Sequence, residues 1–144
     1  MKKAIVVFLF FVNFSFSQSL VLKNEEVIYS FVTKKGKKMV LAKDKANEYL
    51  VYRFGTDAKV ELEFPEKNKE SWKKFTFSYY SQWGDESNAG KEMNAVKFKI
   101  NNVQYVIVDN SYAPYGDENY ESGIYIYDLS SKKTFVIDGI QKKR

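Results

Sequence analysis

Two kinds of side chain in this sequence have types and spacing that could do chemistry: closely spaced carboxylates, and aromatic rings set in polar stretches. Glu61 and Glu63 stand two apart in KVELEF. On a strand that spacing projects both carboxylates from one face about 7 Å apart, within the range of paired glycosidase acids. Val60, Leu62 and Phe64 alternate with them and claim the buried face, which leaves the glutamates to solvent. Asp117, Asn119 and Glu121 reproduce positions 1, 3 and 5 of a calcium loop, and Asp128 falls at position 12. Ser122 then stands where the loop needs glycine, and no helical pattern flanks it, so the expectation is a solvated acidic loop with no metal and no cofactor.

The aromatic group is the better functional signal. Tyr112, Tyr115 and Tyr120, with Asp117 and Glu118, lie in one polar stretch from Asn110 to Ser122, NSYAPYGDENYES, which reads as a long loop. Tyr80 and Trp83 lead into a second polar loop, Gly84 to Glu92. Long loops in compact domains usually carry function, and tyrosine and tryptophan on them serve recognition, because a ring offers apolar area with a polar edge. Tyr112, Tyr115, Asp117, Glu118, Tyr120, Tyr80 and Trp83 are therefore the candidate binding residues, and no residue is assigned a catalytic role. Rings that close the ends of the fold would look the same in sequence.

The elements that must position these residues read as strands. Glu26 to Thr33 and Lys38 to Lys43 form a hairpin across Lys34-Lys35-Gly36-Lys37, where the glycine supplies a positive φ. Lysines around that tip keep a strand edge soluble. Glu48 to Phe54 and Lys59 to Phe64 flank Gly55-Thr56-Asp57, a turn signal. Glu66 to Lys74 is polar and holds at most one helical turn. Phe75 to Trp83, Ala95 to Ile100, Val103 to Asp109, Gly123 to Leu129 and Thr134 to Asp138 complete about nine strands, with Asn101-Asn102 as a two-residue turn. Val96, Phe98 and Ile100 face one way and Lys97 and Lys99 the other, while the run Val106-Ile107-Val108 suits a central strand covered on both sides. The expected fold class is all-β: a single antiparallel β-barrel or β-sandwich of about eight to nine strands built from hairpins.

Composition removes much chemistry. The 144 residues contain no Cys and no His. Disulfides, thiol nucleophiles, Ser-His-Asp triads and imidazole or thiolate metal sites are thereby excluded. The beginning of the chain reads as a signal peptide, residues 1 to 17: Lys2-Lys3, the apolar run Ala4 to Val12, then Ser15-Phe16-Ser17 ahead of Gln18. About nine strongly apolar residues are too few for a hydrocarbon core that needs roughly 20, so no membrane span is expected. Residues 18 to 144 are then one secreted β domain, periplasmic or extracellular and soluble after cleavage. Its 21 basic and 18 acidic residues give a net charge of +3 with both signs interspersed, which argues against nucleic acid as partner.

Export, small size and aromatic-acidic loops on a β scaffold favour a binding protein over an enzyme. The expected function is a non-catalytic inhibitor or immunity-type protein that neutralises a toxin or hydrolase, with an envelope glycan-binding module, or a carboxylate-based hydrolase, as the alternatives. The expected architecture resembles that of the periplasmic lysozyme inhibitors, but without their cysteine. Ser122-Gly123-Ile124-Tyr125 likewise lacks the Lys of a Ser-Gly-x-Lys-Tyr motif, so the resemblance implies a fold and not membership.

Overall fold

The computed structural model of the protein describes residues 19–84, 90–113 and 119–140. Residues 1–17 and Gln18, the expected signal peptide and cleavage point, lie outside them. The described residues form nine strands: β1 (Glu25–Val32), β2 (Lys38–Asp44), β3 (Leu50–Thr56), β4 (Lys59–Phe64), β5 (Phe75–Gln82), β6 (Gly90–Ile100), β7 (Val103–Ala113), β8 (Asn119–Asp128) and β9 (Lys133–Asp138). One 3-10 helix, Lys69–Lys74, capped by the Asn68 side chain, separates β4 from β5. No helix among the described residues is long and apolar enough to cross a membrane.

Each strand pairs antiparallel with the next, in two meanders: a first sheet β1-β2-β3-β4 and a second sheet β5-β6-β7-β8-β9. The sheets meet edge to edge at one bridge, Thr33 with Gly139, beside which the Ile140 N–H donates to the Val32 carbonyl at 2.7 Å. A closed barrel is not found among the described residues. The expected all-β meander therefore holds, and its arrangement is two sheets joined at a corner.

Local signals explain most turns. Gly36 has φ +77° and Asn101 φ 51°, the left-handed values that tight hairpins require. The Gly55 signal works differently from the expectation. Gly55 and Thr56 belong to β3 at a bulge, and the turn is only Asp57-Ala58. A Cβ on Gly55 would meet the Lys59 carbonyl oxygen at 2.2 Å, so the glycine is needed for close backbone approach. Past the bulge Val60 packs outward, while Leu62 and Phe64 reach the shared core.

That core joins Phe31, Met39, Leu41, Leu50 and Tyr52 of the first sheet to Phe75, Phe98, Ile107 and Ile124 of the second. Phe98 is its hub. The rings of Tyr52, Phe64, Phe75 and Tyr105 lie 4.8, 5.3, 5.4 and 4.9 Å from its centroid. β7 is the middle strand of five, and Val106, Ile107 and Val108 are all buried, as their continuous run implies.

The first sheet is covered on its other face as well. Val40, Ala42, Tyr49 and Val51 pack there against Leu20 and Val21 of the segment preceding β1. Beneath that segment lies Arg53, 1% exposed. Its guanidinium donates to both Glu25 oxygens at 2.6 and 2.8 Å, to the Leu20 carbonyl at 3.1 Å and, through Nε, to Glu63 at 2.5 Å. Burying an arginine is costly unless its donors are satisfied, and here every buried side-chain polar atom among the described residues has a partner.

Candidate functional site

The second sheet outgrows the first. β6 and β7 run eleven residues each, whereas the strands of the first sheet run six to eight. The far halves of β5 to β8 therefore continue beyond the shared core, and the described members of the sequence-predicted set, Tyr80, Trp83, Tyr112 and Tyr120, lie there. The stretch from Asn110 to Ser122 is mostly strand: β7 extends to Ala113 and β8 begins at Asn119. Cross-strand pairing, Gly90 with Ala113 and Tyr112 with Asn119, consumes the backbone groups of residues that read as loop.

Register sorts these residues by face. Tyr80, Met93, Asn110 and Glu121 form one row on the outward face, and Gln82, Lys91, Tyr112 and Asn119 form the next. Tyr80 and Tyr112 thus share a face. At about 4.8 Å per strand, Tyr80 stands roughly 14 Å from Glu121 along its row. Tyr120 pairs with Ser111 and points the opposite way. Trp83 follows the end of β5 and is 92% exposed. Tyr115, Asp117 and Glu118 lie outside the described residues.

Sequence reasoning missed the centre of this face. Glu121 is half-buried, and its carboxylate accepts from the Tyr125 hydroxyl, from Asn110 Nδ2 at 2.9 Å and from the Tyr112 hydroxyl at 3.4 Å. Tyr125 lies four residues on along β8, hence on the same face, which is a signal that strand period two could have supplied. The hydrogen bonds from Tyr125 and then Asn110 hold the Glu121 carboxyl below the usual range. In return the bond to Glu121 pushes the Tyr125 hydroxyl up to about 12. Burial, then the Glu121 charge, raises Tyr112. Glu121 makes no ion pair among the described residues, where its charge is held by neutral donors. The result is a carboxylate fixed between two tyrosines and an asparagine, in the same row as Tyr80 and Met93, which are 52% and 39% exposed.

The other carboxylate readings resolve differently. Glu61 bonds Lys37 at 2.6 Å, and Glu63 bonds Arg53 and Lys67. Burial would raise the Glu63 carboxyl, but the bonds from Arg53 and Lys67 outweigh it and hold it low. Each acid is committed to its own cations; both stay exposed, as expected, and Glu63 also anchors buried Arg53. Asn119 and Glu121 are strand residues, and Asp128 lies seven residues beyond Glu121, about 23 Å along β8. There it accepts from the Ser130 and Ser131 N–H groups and the Ser131 hydroxyl, which closes the turn into β9. That spacing dismantles the calcium-loop match, and no group of three metal-ligating residues occurs among the described residues.

No protein-family model, curated protein or solved structure matches this chain. A functional reading accordingly rests on its own residues.

Proposed function

We propose that this protein is a non-catalytic, exported binding protein of the inhibitor or immunity type, which neutralises a toxin or hydrolase with the far end of its second sheet. The observation that carries this reading is the outward face holding Tyr80, Met93, Tyr112 and Glu121, flanked by Trp83 at 92% exposure. Aromatic anchors beside a fixed charge are what hot spots in protein interfaces are made of. The proposed surface extends to Tyr115, Asp117 and Glu118, expected from the sequence to share it, which lie outside the described residues. The antiparallel scaffold supplies rigidity, which lowers the ordering cost of binding.

The test is capture of a protein from the native envelope by the immobilised chain, followed by Trp83→Ala. Removal of a ring that is almost wholly in solvent should leave the thermal midpoint unchanged. It should weaken capture by about thirtyfold, the equivalent of a 2 kcal/mol anchor. Retention on envelope glycans with no protein captured would transfer the surface to sugar recognition, for which the Asn110, Tyr112 and Glu121 hydrogen-bonding groups on the same face as Tyr80 are suited.

A further inference from the structure

The four strands at sheet edges are not alike. β1 carries Glu25 and Glu26, has a register shift between Val27 and Tyr29, and ends on the bridge to Gly139. β4 alternates Lys59, Glu61 and Glu63 with its apolar residues, and β9 is bounded by Lys133 and Asp138. Charges, bulges and bridging are the devices that stop an edge from pairing with another chain. β5, FTFSYYSQ, has none of them: no charged residue, no Pro, no Gly and an unbroken register with its one neighbour β6. From Thr76 to Gln82 every residue is exposed, and Phe77, Tyr79 and Tyr80 are 53%, 67% and 52% in solvent.

We infer that β5 is the seat of a second copy of this chain, paired antiparallel with its own β5 to join two five-stranded sheets into one of ten strands. A strand without charges meets its own copy with no like-charge repulsion. A two-fold axis perpendicular to the sheet requires inward residues to meet inward residues, and the register centred on Ser78 satisfies this throughout. Phe77 then faces Tyr79 of the second copy on the inward side, twice, and Thr76 faces Tyr80 on the outward side, twice. Ser78 meets itself on the axis, where identical side chains must share least space. Aromatic and aromatic–β-branched cross-strand pairs are the favourable ones.

The inner surface continues the same way. Phe77 and Tyr79 form one wall of an open groove of about 560 Å³ between the sheets, opposite Ile28, Tyr29 and Leu41. The second copy's Tyr79 extends that wall past Phe77, so the two grooves become one apolar surface across the axis. At roughly 150–250 Å² per aromatic ring, the exposed parts of Phe77, Tyr79 and Tyr80 amount to about 350 Å² per copy. That is close to half of the roughly 800 Å² per partner in a standard interface, before the eight-residue backbone edge is counted.

Sedimentation velocity of the mature chain from about 1 to 500 µM should show a monomer–dimer equilibrium in the micromolar range. Ser78 is exposed on the outward face, so Ser78→Lys and Ser78→Glu should keep the circular dichroism spectrum and thermal midpoint of the wild type. Each alone should be monomeric, with dimerisation weakened at least a hundredfold, and an equimolar mixture of the two should dimerise again. Monomeric wild type across that range, a Ser78→Lys protein that still dimerises, or a mixture that stays monomeric would each overturn the inference. If the wild type is monomeric and Ser78→Lys loses a protein captured from the envelope, the edge belongs to that partner and not to a second copy.

Discussion

Glu25 and Glu121 are both carboxylates that gather several hydrogen bonds, one on each sheet, yet they have opposite surroundings. Glu25 is 5% exposed and is held by both arms of the Arg53 guanidinium, the Leu22 N–H and the Tyr49 hydroxyl, under a lid formed by Leu20 and Val21. Glu121 is half-buried and is held by a tyrosine, an asparagine and a second tyrosine, on the face that also carries exposed Tyr80. The difference lies in how each charge is balanced. A carboxylate neutralised by a buried cation has nothing left to offer a partner, whereas one fixed by neutral donors keeps its full charge and a set direction. Hydrogen bonds alone do not tell the two apart; the presence or absence of the counter-charge does.

The largest expected effect tests the structural half of that contrast. Arg53→Met removes the guanidinium and strands Glu25 in an apolar setting, so unfolding in urea should show a loss of about 3–5 kcal/mol. Pairing it with Glu25→Leu should recover most of the loss, because the cost lies in the uncompensated charge more than in the missing attraction. A single-variant loss below about 1 kcal/mol would erase the distinction between the two carboxylates.

Acid should act on the same network. Burial would raise the Glu25 carboxyl, but hydrogen bonds from Arg53, Leu22 and Tyr49 outweigh it and hold it below the usual value. The folded state therefore binds that proton less readily than the unfolded chain, in which a glutamate titrates near ~4.3. Its contribution is complete above that pH and is lost as pH falls through the lower folded value. Thermal midpoints recorded from pH 6 down to pH 2.5 should fall more steeply for the wild type than for the Arg53→Met, Glu25→Leu double variant. Parallel curves would show that another group carries the acid sensitivity.

The smallest effect lies on the second sheet. Tyr125→Phe removes one donor to Glu121 at a part-exposed position, and should cost about 1 kcal/mol. A sharper readout is the phenol itself. Glu121→Gln should bring the Tyr125 hydroxyl from about 12 back toward the ordinary value near 10, as ultraviolet difference titration would record. An unchanged high-pH limb would mean that Glu121 does not direct this tyrosine.

Much of the scaffold was legible because it depends on local signals. Gly36 and Asn101 mark turns by conformation, Val106 to Val108 mark a central strand by continuity, and Phe98 between Lys97 and Lys99 marks the core by alternation. What could not be read depends on distance or on pairing. Arg53 looks like a solvated charge in its own strand, because its partner Glu25 lies 28 residues earlier and no periodicity connects them. The polar composition of Gly90 to Asn94 and of Asn110 to Ala113 suits a loop, and only the ladder between β6 and β7 makes strands of them. Glu121 and Tyr125 are within reach of sequence reasoning, since residues four apart on a strand share a face, but the β-branched and aromatic pattern of that strand starts only at Gly123. Tyr112 and Tyr120 consequently looked like neighbours in one loop, although they project from opposite faces.

The segment from Ser19 to Leu22 has a practical consequence for handling the protein. The Leu20 carbonyl accepts from Arg53, the Leu22 N–H donates to Glu25, and the Leu20 side chain is 4% exposed. Affinity tags and fusion partners therefore belong at the other terminus, and an expression clone begun a few residues late would uncover the guanidinium and behave like a destabilising point variant. Limited digestion that cuts after Leu22 should release the heat-labile form.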